Sequence, residues 1–191
     1  GLGVFTAINS DANPTATDNK TRFQNRTSVY VPSTNVNVWF PAISSGFGAN
    51  NFALALSDPS DPDYPSVPVE NSLALTSVVN TTDYLNLTLK LKFYYSRYYP
   101  SGYQPTQEYA VIELSTNGGT TYPVTIATFT SNQGIGSRFL DLSYDLSAYI
   151  NQPNLKIRVR HYADASASGW LPGGVAVDNV ELFGEKPLNT A

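Results

Sequence analysis

The 191-residue sequence contains no cysteine, and this absence restricts the kinds of site that the protein can build. Without cysteine the chain can form neither a disulfide framework nor a metal site made of thiolates. The absence does not fix the compartment, because an oxidising exterior permits disulfides without requiring them. Only one histidine is present, His161, so a zinc site is nearly excluded as well.

Methionine is also absent, and no secretory signal stands at Gly1. Because a natural chain begins with methionine, we expect this chain to be a processed form or a segment of a longer one. No apolar run approaches the roughly 18 residues that a membrane helix needs, so we expect no membrane insertion.

Charge is scarce: charged residues make up 14% of the chain, the formal net charge is −4 and the isoelectric point is about 4.8. Generic nucleic-acid binding depends on neutralising phosphates with lysine and arginine. A mildly acidic domain is poorly suited to that task, so we expect no nucleic-acid partner.

Aromatic residues, by contrast, make up 13% of the chain, alongside 13 glycines and 13 prolines. This composition is typical of short strands joined by turn-rich loops. We predict a single domain over residues 1–184, in which residues 1–21 can form an extended arm. Residues 185–191 are interpreted as a tail or linker.

The clearest strand signal is the alternation in "YLNLTLKLKFYY". The residues at alternate positions from Leu85 to Tyr95 fall on one face, while Lys90, Lys92 and Tyr94 fall on the polar face. "EYAVIELSTNGGTTY" predicts a strand followed by a hairpin turn at "TNGG", and "PNLKIRVRHY" predicts another strand. About ten such strands without helices predict an all-β, two-sheet antiparallel β-sandwich.

The second half of the chain, roughly residues 70–184, resembles MAM-like and cleaved-adhesin domains of secreted bacterial surface proteins, which are common in Bacteroidetes. The resemblance rests on four segments in order: "YLNLTLKLKFYY", "EYAVIELSTNGGTTY", "DLSAYINQPNLKIRVRHY" and "GGVAVDNVELFG". The family usually has tryptophan where Tyr122 stands and often aspartate where Asn117 stands. The resemblance implies a jelly roll of galactose-binding type, usually non-catalytic and often carrying a structural calcium.

Asp178, in "VAVDNVEL", stands where related jelly rolls place a calcium ligand, so the resemblance implies a calcium site there. One aspartate is not enough, because calcium takes six to eight oxygens. The alternative is that Asp178 hydrogen-bonds nearby loop amides. "SDPSDPDYP" offers three more carboxylates as metal ligands, on a proline-stiffened loop that can equally be an exposed turn: Asp58, Asp61 and Asp63.

Exposed tyrosines in a loop after the predicted strand suit sugar or protein recognition, because their flat faces stack on sugar rings. We therefore predict ligand contacts from Tyr98, Tyr99 and Tyr103, and from Trp170 in a second loop. The alternative is that these rings only cover the open end of the sandwich.

The predicted outward faces of two strands are basic, with Lys90 and Lys92 on one and Lys156, Arg158 and Arg160 on the other. If the strands are neighbours, these residues form a positive stripe that can dock an acidic partner or glycan. Otherwise they are solvated residues balanced by Glu113 and Asp141.

Catalysis finds little support in the sequence. His161 shares the apolar parity of its strand, which favours a packed or edge histidine, and no nucleophile elbow is present. A glycosidase needs only two carboxylates. Four acidic residues are the candidates for such a pair: Glu70, Glu108, Glu113 and Asp141.

The sequence as a whole predicts a non-catalytic recognition domain of a secreted or cell-surface bacterial protein that mediates adhesion or carbohydrate binding. Its expected partner is a glycan or protein on a surface, and its expected cofactor is structural calcium. Two alternatives remain open. One is a structural spacer or self-assembling subunit of an extracellular filament or layer, and the other is an accessory domain of a secreted hydrolase.

Overall fold

A computed structural model describes residues 2–10, 22–26, 29–30, 43–44, 51–56, 69–96, 107–134, 139–164 and 174–188. These residues form β-strands and one short 3₁₀ turn, Ser147–Tyr149. The strands are β1 Phe5–Asn9, β2 Gln24–Arg26, β3 Val29–Tyr30, β4 Ile43–Ser44, β5 Phe52–Leu56, β6 Val69–Leu75, β7 Thr88–Ser96, β8 Glu108–Ser115, β9 Val124–Phe129, β10 Leu140–Asp145, β11 Lys156–Ala163 and β12 Gly174–Phe183.

The strands form two five-stranded sheets in which every neighbouring pair is antiparallel. Sheet A has the order β1-β6-β11-β8-β9, and sheet B has the order β10-β7-β12-β5-β2. Strands β3 and β4 form a separate two-stranded ribbon. The order confirms the predicted all-β jelly-roll sandwich, because consecutive strands alternate between the sheets at several connections.

The core lies between the two sheets and follows the period-two pattern of the sequence. On β7, Leu89, Leu91, Phe93 and Tyr95 are buried, and on β11 the alternate residues beginning at Ile157 are buried. Their neighbours point away from the core, which explains why one strand carries both apolar and cationic side chains.

The predicted hairpin turn between β8 and β9 is confirmed at "TNGG". Gly118 and Gly119 have φ angles of +74° and +89°, a left-handed conformation that glycine adopts without strain. The Ser115 hydroxyl oxygen accepts a hydrogen bond from the Gly119 amide at 2.9 Å. The side-chain oxygen of Asn117 accepts one from the Thr121 amide at 3.0 Å.

The structure corrects two side-chain predictions in the alternating segment. Leu85 precedes β7 and is 59% exposed, so it does not join the buried face of the strand. Tyr94 points away from the core as predicted, yet it is only 5% exposed and its ring packs against Phe139 at a centroid distance of 6.0 Å. Outward parity therefore did not mean exposure at this position.

The continuous basic stripe is also not formed. Lys90 and Lys92 lie on β7 in sheet B, whereas Lys156, Arg158 and Arg160 lie on β11 in sheet A. The two strands belong to opposite layers, so their outward faces look in opposite directions.

No helix in the described part of the chain has the length and apolar character of a membrane span.

Candidate functional site

Three connections of the chain leave the sandwich at one end. In sheet B, Gly174 at the start of β12 lies opposite both Leu56 at the end of β5 and Ser96 at the end of β7. In sheet A, Ala163 at the end of β11 lies opposite both Val69 and Glu108, which begin β6 and β8. These registers align six strand ends in two rows.

The two rows face each other across the core, because the rings of Tyr95 in sheet B and His161 in sheet A lie 6.1 Å apart. We call this part of the sandwich the loop end. The connections 57–68, 97–106 and 165–173 all join strands here, and they carry the predicted ligand residues and the acidic loop. The residues themselves, Tyr98, Tyr99, Tyr103, Trp170, Asp58, Asp61 and Asp63, lie outside the described residues.

Two of these connections are tied together where they meet the sheet. The Asp164 amide donates a hydrogen bond to the Gln107 carbonyl at 2.9 Å, and the Gln107 amide donates to the Asp164 side chain at 2.8 Å. The stems of 97–106 and 165–173 are thereby held next to each other.

A buried polar cluster lies beneath the loop end. Nε2 of His161 lies 3.2 Å from Oε1 of Glu108, and both side chains are 0% exposed. Asn71 lies opposite His161 in the ladder, and within the described residues neither of its side-chain amide atoms has a hydrogen-bond partner. The packed histidine is thus confirmed, whereas its pairing with Glu108 was missed; their matching inward parity was the available signal.

Asp178 lies at a break in the hydrogen-bonded ladder between β12 and β7. The register shifts between Asp178 and Glu181, and Asn179 adopts a φ of +45°, so a bulge fixes the direction of the Asp178 side chain. Its Oδ1 accepts a hydrogen bond from the Asn179 amide at 2.8 Å. Its Oδ2 is buried and has no hydrogen-bond partner among the described residues.

Asp178 also lines a cleft of about 430 Å³, whose other lining side chains include Asn25, Asn51 and Phe52. Burial raises the pKa of Asp178, and the Asn179 amide and the Lys92 charge oppose this rise only in part. An orphaned buried carboxylate oxygen fits a metal ligand, and amide and backbone oxygens of the cleft are the donors that calcium accepts.

The remaining carboxylates of a calcium site are not among the described residues. No group of three or more His, Cys, Asp or Glu side chains that could hold a metal occurs in the described ranges. Val177 pairs with Ala53, and the acidic connection begins only after Leu56, about 10 Å farther along β5. Calcium at Asp178 therefore stays a prediction.

The outward side of sheet A carries a dense polar network. Arg158 Nε donates to Glu113 Oε2 at 2.6 Å, and Arg160 donates to the same carboxylate at 3.1 and 3.0 Å. Nη1 of Arg160 also donates to Tyr109 Oη at 3.2 Å and to Glu70 Oε1 at 3.4 Å. Glu113 thus accepts hydrogen bonds from two guanidinium groups at once.

Tyrosine rings flank this network. The rings of Tyr109 and Tyr162 stack at 5.2 Å, and Arg160 lies 5.4 Å from the centre of the Tyr109 ring. Arg158 lies 4.1 Å from the centre of the Tyr122 ring. We call this surface the arginine face; it comprises Glu70, Tyr109, Glu113, Tyr122, Lys156, Arg158, Arg160 and Tyr162. The alternation in the sequence identified its cations and placed Tyr162 on the same side of the strand, whereas the contacts of Tyr109 and Tyr122 with the arginines were not predicted.

Each of the four carboxylates considered for catalysis contacts a basic side chain. Glu70 and Glu113 pair with Arg160, Glu108 pairs with His161, and Asp141 pairs with Lys92 at 2.7 Å. Burial alone would raise the pKa of Glu113, but the hydrogen bonds from Arg160 and Arg158 outweigh it and lower the pKa below its ordinary value. Glu113 is therefore unsuited to donate a proton near neutral pH.

No protein-family model matches the chain, and no curated protein matches it. Among solved structures, the chain is similar to the carbohydrate-binding module TmCBM61 in complex with β-1,4-galactotriose. That similarity has 10% identity and a TM-score of 0.43, and it covers 85% of this chain and 88% of that one.

The chain is also similar to the K3 cleaved adhesin domain of Lys-gingipain from Porphyromonas gingivalis W83. Here the identity is 11%, the coverage 95% and 91%, and the TM-score 0.46. A third similar structure is an enzyme, the Stig cyclase FisC from Fischerella sp. TAU, with 16% identity, coverage of 96% and 86%, and a TM-score of 0.42. Solved structures of binding modules, an adhesin domain and a cyclase thus all show this degree of likeness, which does not assign a family or an activity.

Proposed function

We propose that this chain is a non-catalytic recognition domain that binds carbohydrate at the loop end. The observation that carries the proposal is the alignment of the strand ends that flank the connections 97–106 and 165–173, all of which lie at one end of the sandwich. Four aromatic residues occur in those two connections: Tyr98, Tyr99, Tyr103 and Trp170.

Aromatic rings on loops held by a rigid sandwich suit sugar binding for a physical reason. The apolar face of a sugar ring packs on a flat aromatic face, and the tyrosine hydroxyl adds a hydrogen bond. The hydrogen bonds between Gln107 and Asp164 hold the stems of both connections in place, which lowers the entropic cost of ordering such a site.

The proposal includes a role outside the cell, on a secreted or surface protein, where glycan partners are found. It also includes a structural calcium with Asp178 as one ligand, supported by the buried, unpartnered Oδ2 of that residue within the described part of the chain. A non-catalytic role is supported by the engagement of the candidate carboxylates with basic side chains.

The test is a glycan array probed with the wild-type chain and with Tyr99→Ala, Tyr103→Ala and Trp170→Ala. We expect binding to one or a few glycans and a loss of roughly 10-fold or more for at least one variant. Tyr84→Ala is the matched control, because Tyr84 lies near the opposite end with its ring 4.8 Å from Lys186 Nζ. A wild-type chain that binds no glycan would overturn the proposal and favour a spacer role.

A further inference from the structure

The cations of the arginine face are concentrated at one end of it, around Lys156 and Arg158, on a protein whose net charge is −4. The cations of the face are Lys156, Arg158 and Arg160, and its carboxylates are Glu70 and Glu113. Asp164 also acts electrostatically on Tyr162 at the far end of the face, so the cations are concentrated around Arg158 and the carboxylates Glu70 and Asp164 lie toward Tyr162. The ammonium group of Lys156 donates to the backbone carbonyl of Thr76 at 2.9 Å and makes no ion pair with a described carboxylate. The end of the face around Lys156 and Arg158 therefore attracts anions although the protein as a whole does not.

Arg158 and Arg160 have different roles on this face. The side-chain nitrogens of Arg160 donate hydrogen bonds to Glu113, Tyr109 and Glu70. The hydrogen bond with Glu113 contributes most to a raised pKa of Arg160, so its charge is permanent. Arg160 is an internal anchor of the network and has little capacity left for a ligand.

Arg158 is held in place but is only partly used. Its Nε is bound to Glu113 at 2.6 Å and its guanidinium stacks on Tyr122 at 4.1 Å, so the plane of the group is fixed from two sides. Its terminal amino groups have no hydrogen-bond partner among the described residues, and the side chain is 25% exposed. Glu113 is shared with Arg160, and Glu70 supplies Arg160 with a second carboxylate, so the cation without a described carboxylate partner at this end of the face is Lys156.

A guanidinium fixed in this way is suited to one class of chemical group. Its parallel terminal N–H groups match the two oxygens of a carboxylate or a sulfate, and little side-chain entropy remains to be lost on binding. Tyr162 lies four residues along the same outward side of β11, about 13 Å away, and one face of its ring is stacked on Tyr109. The spacing suits a short oligosaccharide that contacts both a ring and a cation.

We propose that the arginine face binds an acidic saccharide, with Arg158 contacting a carboxylate or sulfate group of the sugar. The assignment to a saccharide rests on the proposed carbohydrate-binding function, whereas the assignment of an anionic group rests on Arg158 and its surroundings. Glu113 and Tyr122 are positioning residues, because each contacts Arg158 and fixes the direction of its free amino groups.

The test compares three oligosaccharides of matched length by calorimetry at low ionic strength: an oligogalacturonate, a sulfated heparin fragment and a neutral galacto-oligosaccharide. We expect the wild-type chain to bind at least one acidic probe about tenfold or more tightly than the neutral one. The preference should shrink at roughly 0.15 M salt, because screening weakens exposed charge interactions. The oligogalacturonate and heparin arms distinguish a carboxylate from a sulfate.

Arg158→Gln should abolish the preference for acidic probes. Arg158→Lys should retain part of it, because the charge remains while the two-pronged geometry is lost. Tyr122→Leu should weaken acidic binding roughly two- to fivefold. Lys186→Gln is the matched control, since Lys186 also lies over a tyrosine, at 4.8 Å from Tyr84, and should leave binding unchanged. If Arg158→Gln does not fold, Arg158→Lys carries the test.

Equal affinity of the wild-type chain for acidic and neutral probes would overturn the inference, and so would an Arg158→Gln variant that keeps the preference. Binding of polyglutamate as tight as that of oligogalacturonate would overturn the assignment to a saccharide. Neutral-sugar binding that depends on Tyr99 or Trp170, without any preference for acidic probes, would contradict the inference about the arginine face and leave the proposed function at the loop end standing. The absence of all saccharide binding would remove the proposed function with it.

Discussion

His161 and Glu108 form a side-chain pair inside the sandwich, with 3.2 Å between Nε2 and Oε1 and no exposed surface on either side chain. The two residues come from adjacent strands of sheet A, where Ala163 and His161 lie opposite Glu108 and Ala110. The pair lies directly under the strand ends from which the three connections of the loop end emerge. Its integrity therefore links the core of the domain to the region proposed to bind ligand.

Replacing His161 with alanine should destabilise the domain strongly. The variant removes one partner of a buried carboxylate and leaves a cavity beside Tyr95, so we expect a loss of roughly 3–5 kcal/mol in the free energy of unfolding. Urea-induced unfolding followed by tyrosine and tryptophan fluorescence measures this loss. Replacing both His161 and Glu108 with leucine should restore part of it, and a loss below about 1 kcal/mol for His161→Ala would contradict the prediction.

Glu113 should make the stability of the domain depend on acidic pH. Its pKa is lowered from an ordinary value of 4.5, so its contribution is fully present above that value. The contribution is lost as the pH falls through the lower pKa of the folded state, because the folded chain then takes up the proton that the unfolded chain already holds. Thermal unfolding between about pH 2 and 6 should therefore show a steeper acid loss in the wild-type chain than in Glu113→Gln.

Glu113→Gln should also be less stable than the wild-type chain at neutral pH, because two guanidinium groups lose their shared carboxylate. Asp141→Asn is the matched control, since Asp141 pairs with Lys92 but its side chain is 80% exposed. Exposed pairs contribute little, so the control should change stability by well under about 1 kcal/mol. Equal losses of stability in the two variants would show that the network on the arginine face stabilises the domain no more than an exposed ion pair does.

The effect of Asp178 on the stability of the domain should depend on whether calcium is present. The pKa of Asp178 is raised chiefly by burial, which the Lys92 charge offsets only in part, so at neutral pH the ionised carboxylate opposes folding when no metal ion is bound. We expect Asp178→Asn to raise the midpoint of thermal unfolding in the presence of a chelator. Added calcium should raise the midpoint of the wild-type chain and have a smaller effect on the variant. A wild-type chain whose midpoint is insensitive to calcium would rule out the calcium proposal.

The local patterns of the sequence predicted much of the fold because they depend on neighbouring residues. The period-two alternation around Leu89 and Ile157 identified two core strands, and the "NGG" of the hairpin identified a turn that requires positive φ angles. The sheet to which each strand belongs is set by contacts between distant segments, so the basic residues of β7 and β11 could not be placed on opposite layers in advance.

Contacts between distant segments also determine the side-chain clusters, which local sequence patterns therefore do not predict. The pairing of His161 with Glu108 and the stacking of Arg158 on Tyr122 join residues of different strands. The burial of Tyr94 on an outward face depends on Phe139, which follows it by 45 positions. The sequence did predict that the tyrosine loop belongs to one end of the fold, because a loop must emerge where its flanking strands stop.

Gly184, immediately after β12, should be intolerant of a side chain. A Cβ atom at this position would lie 2.2 Å from the carbonyl oxygen of Asn86 and 2.7 Å from the Tyr84 ring. The backbone of Asn86 is held in place, since the amide of Glu185 donates to the Asn86 side chain at 3.0 Å and the Leu85 amide donates to the Glu185 carbonyl at 2.8 Å. Gly184→Ala should therefore cost roughly 1–3 kcal/mol or more in the free energy of unfolding, measured by urea titration.

Gly3→Ala provides the comparison. Gly3 has a φ of +65°, but nothing lies within 4 Å of its added Cβ, so the cost should be limited to roughly 1–2 kcal/mol of backbone strain. A Gly184→Ala variant as stable as the wild-type chain would show that the contacts between residues 84–86 and 184–185 do not hold this end of the sandwich together.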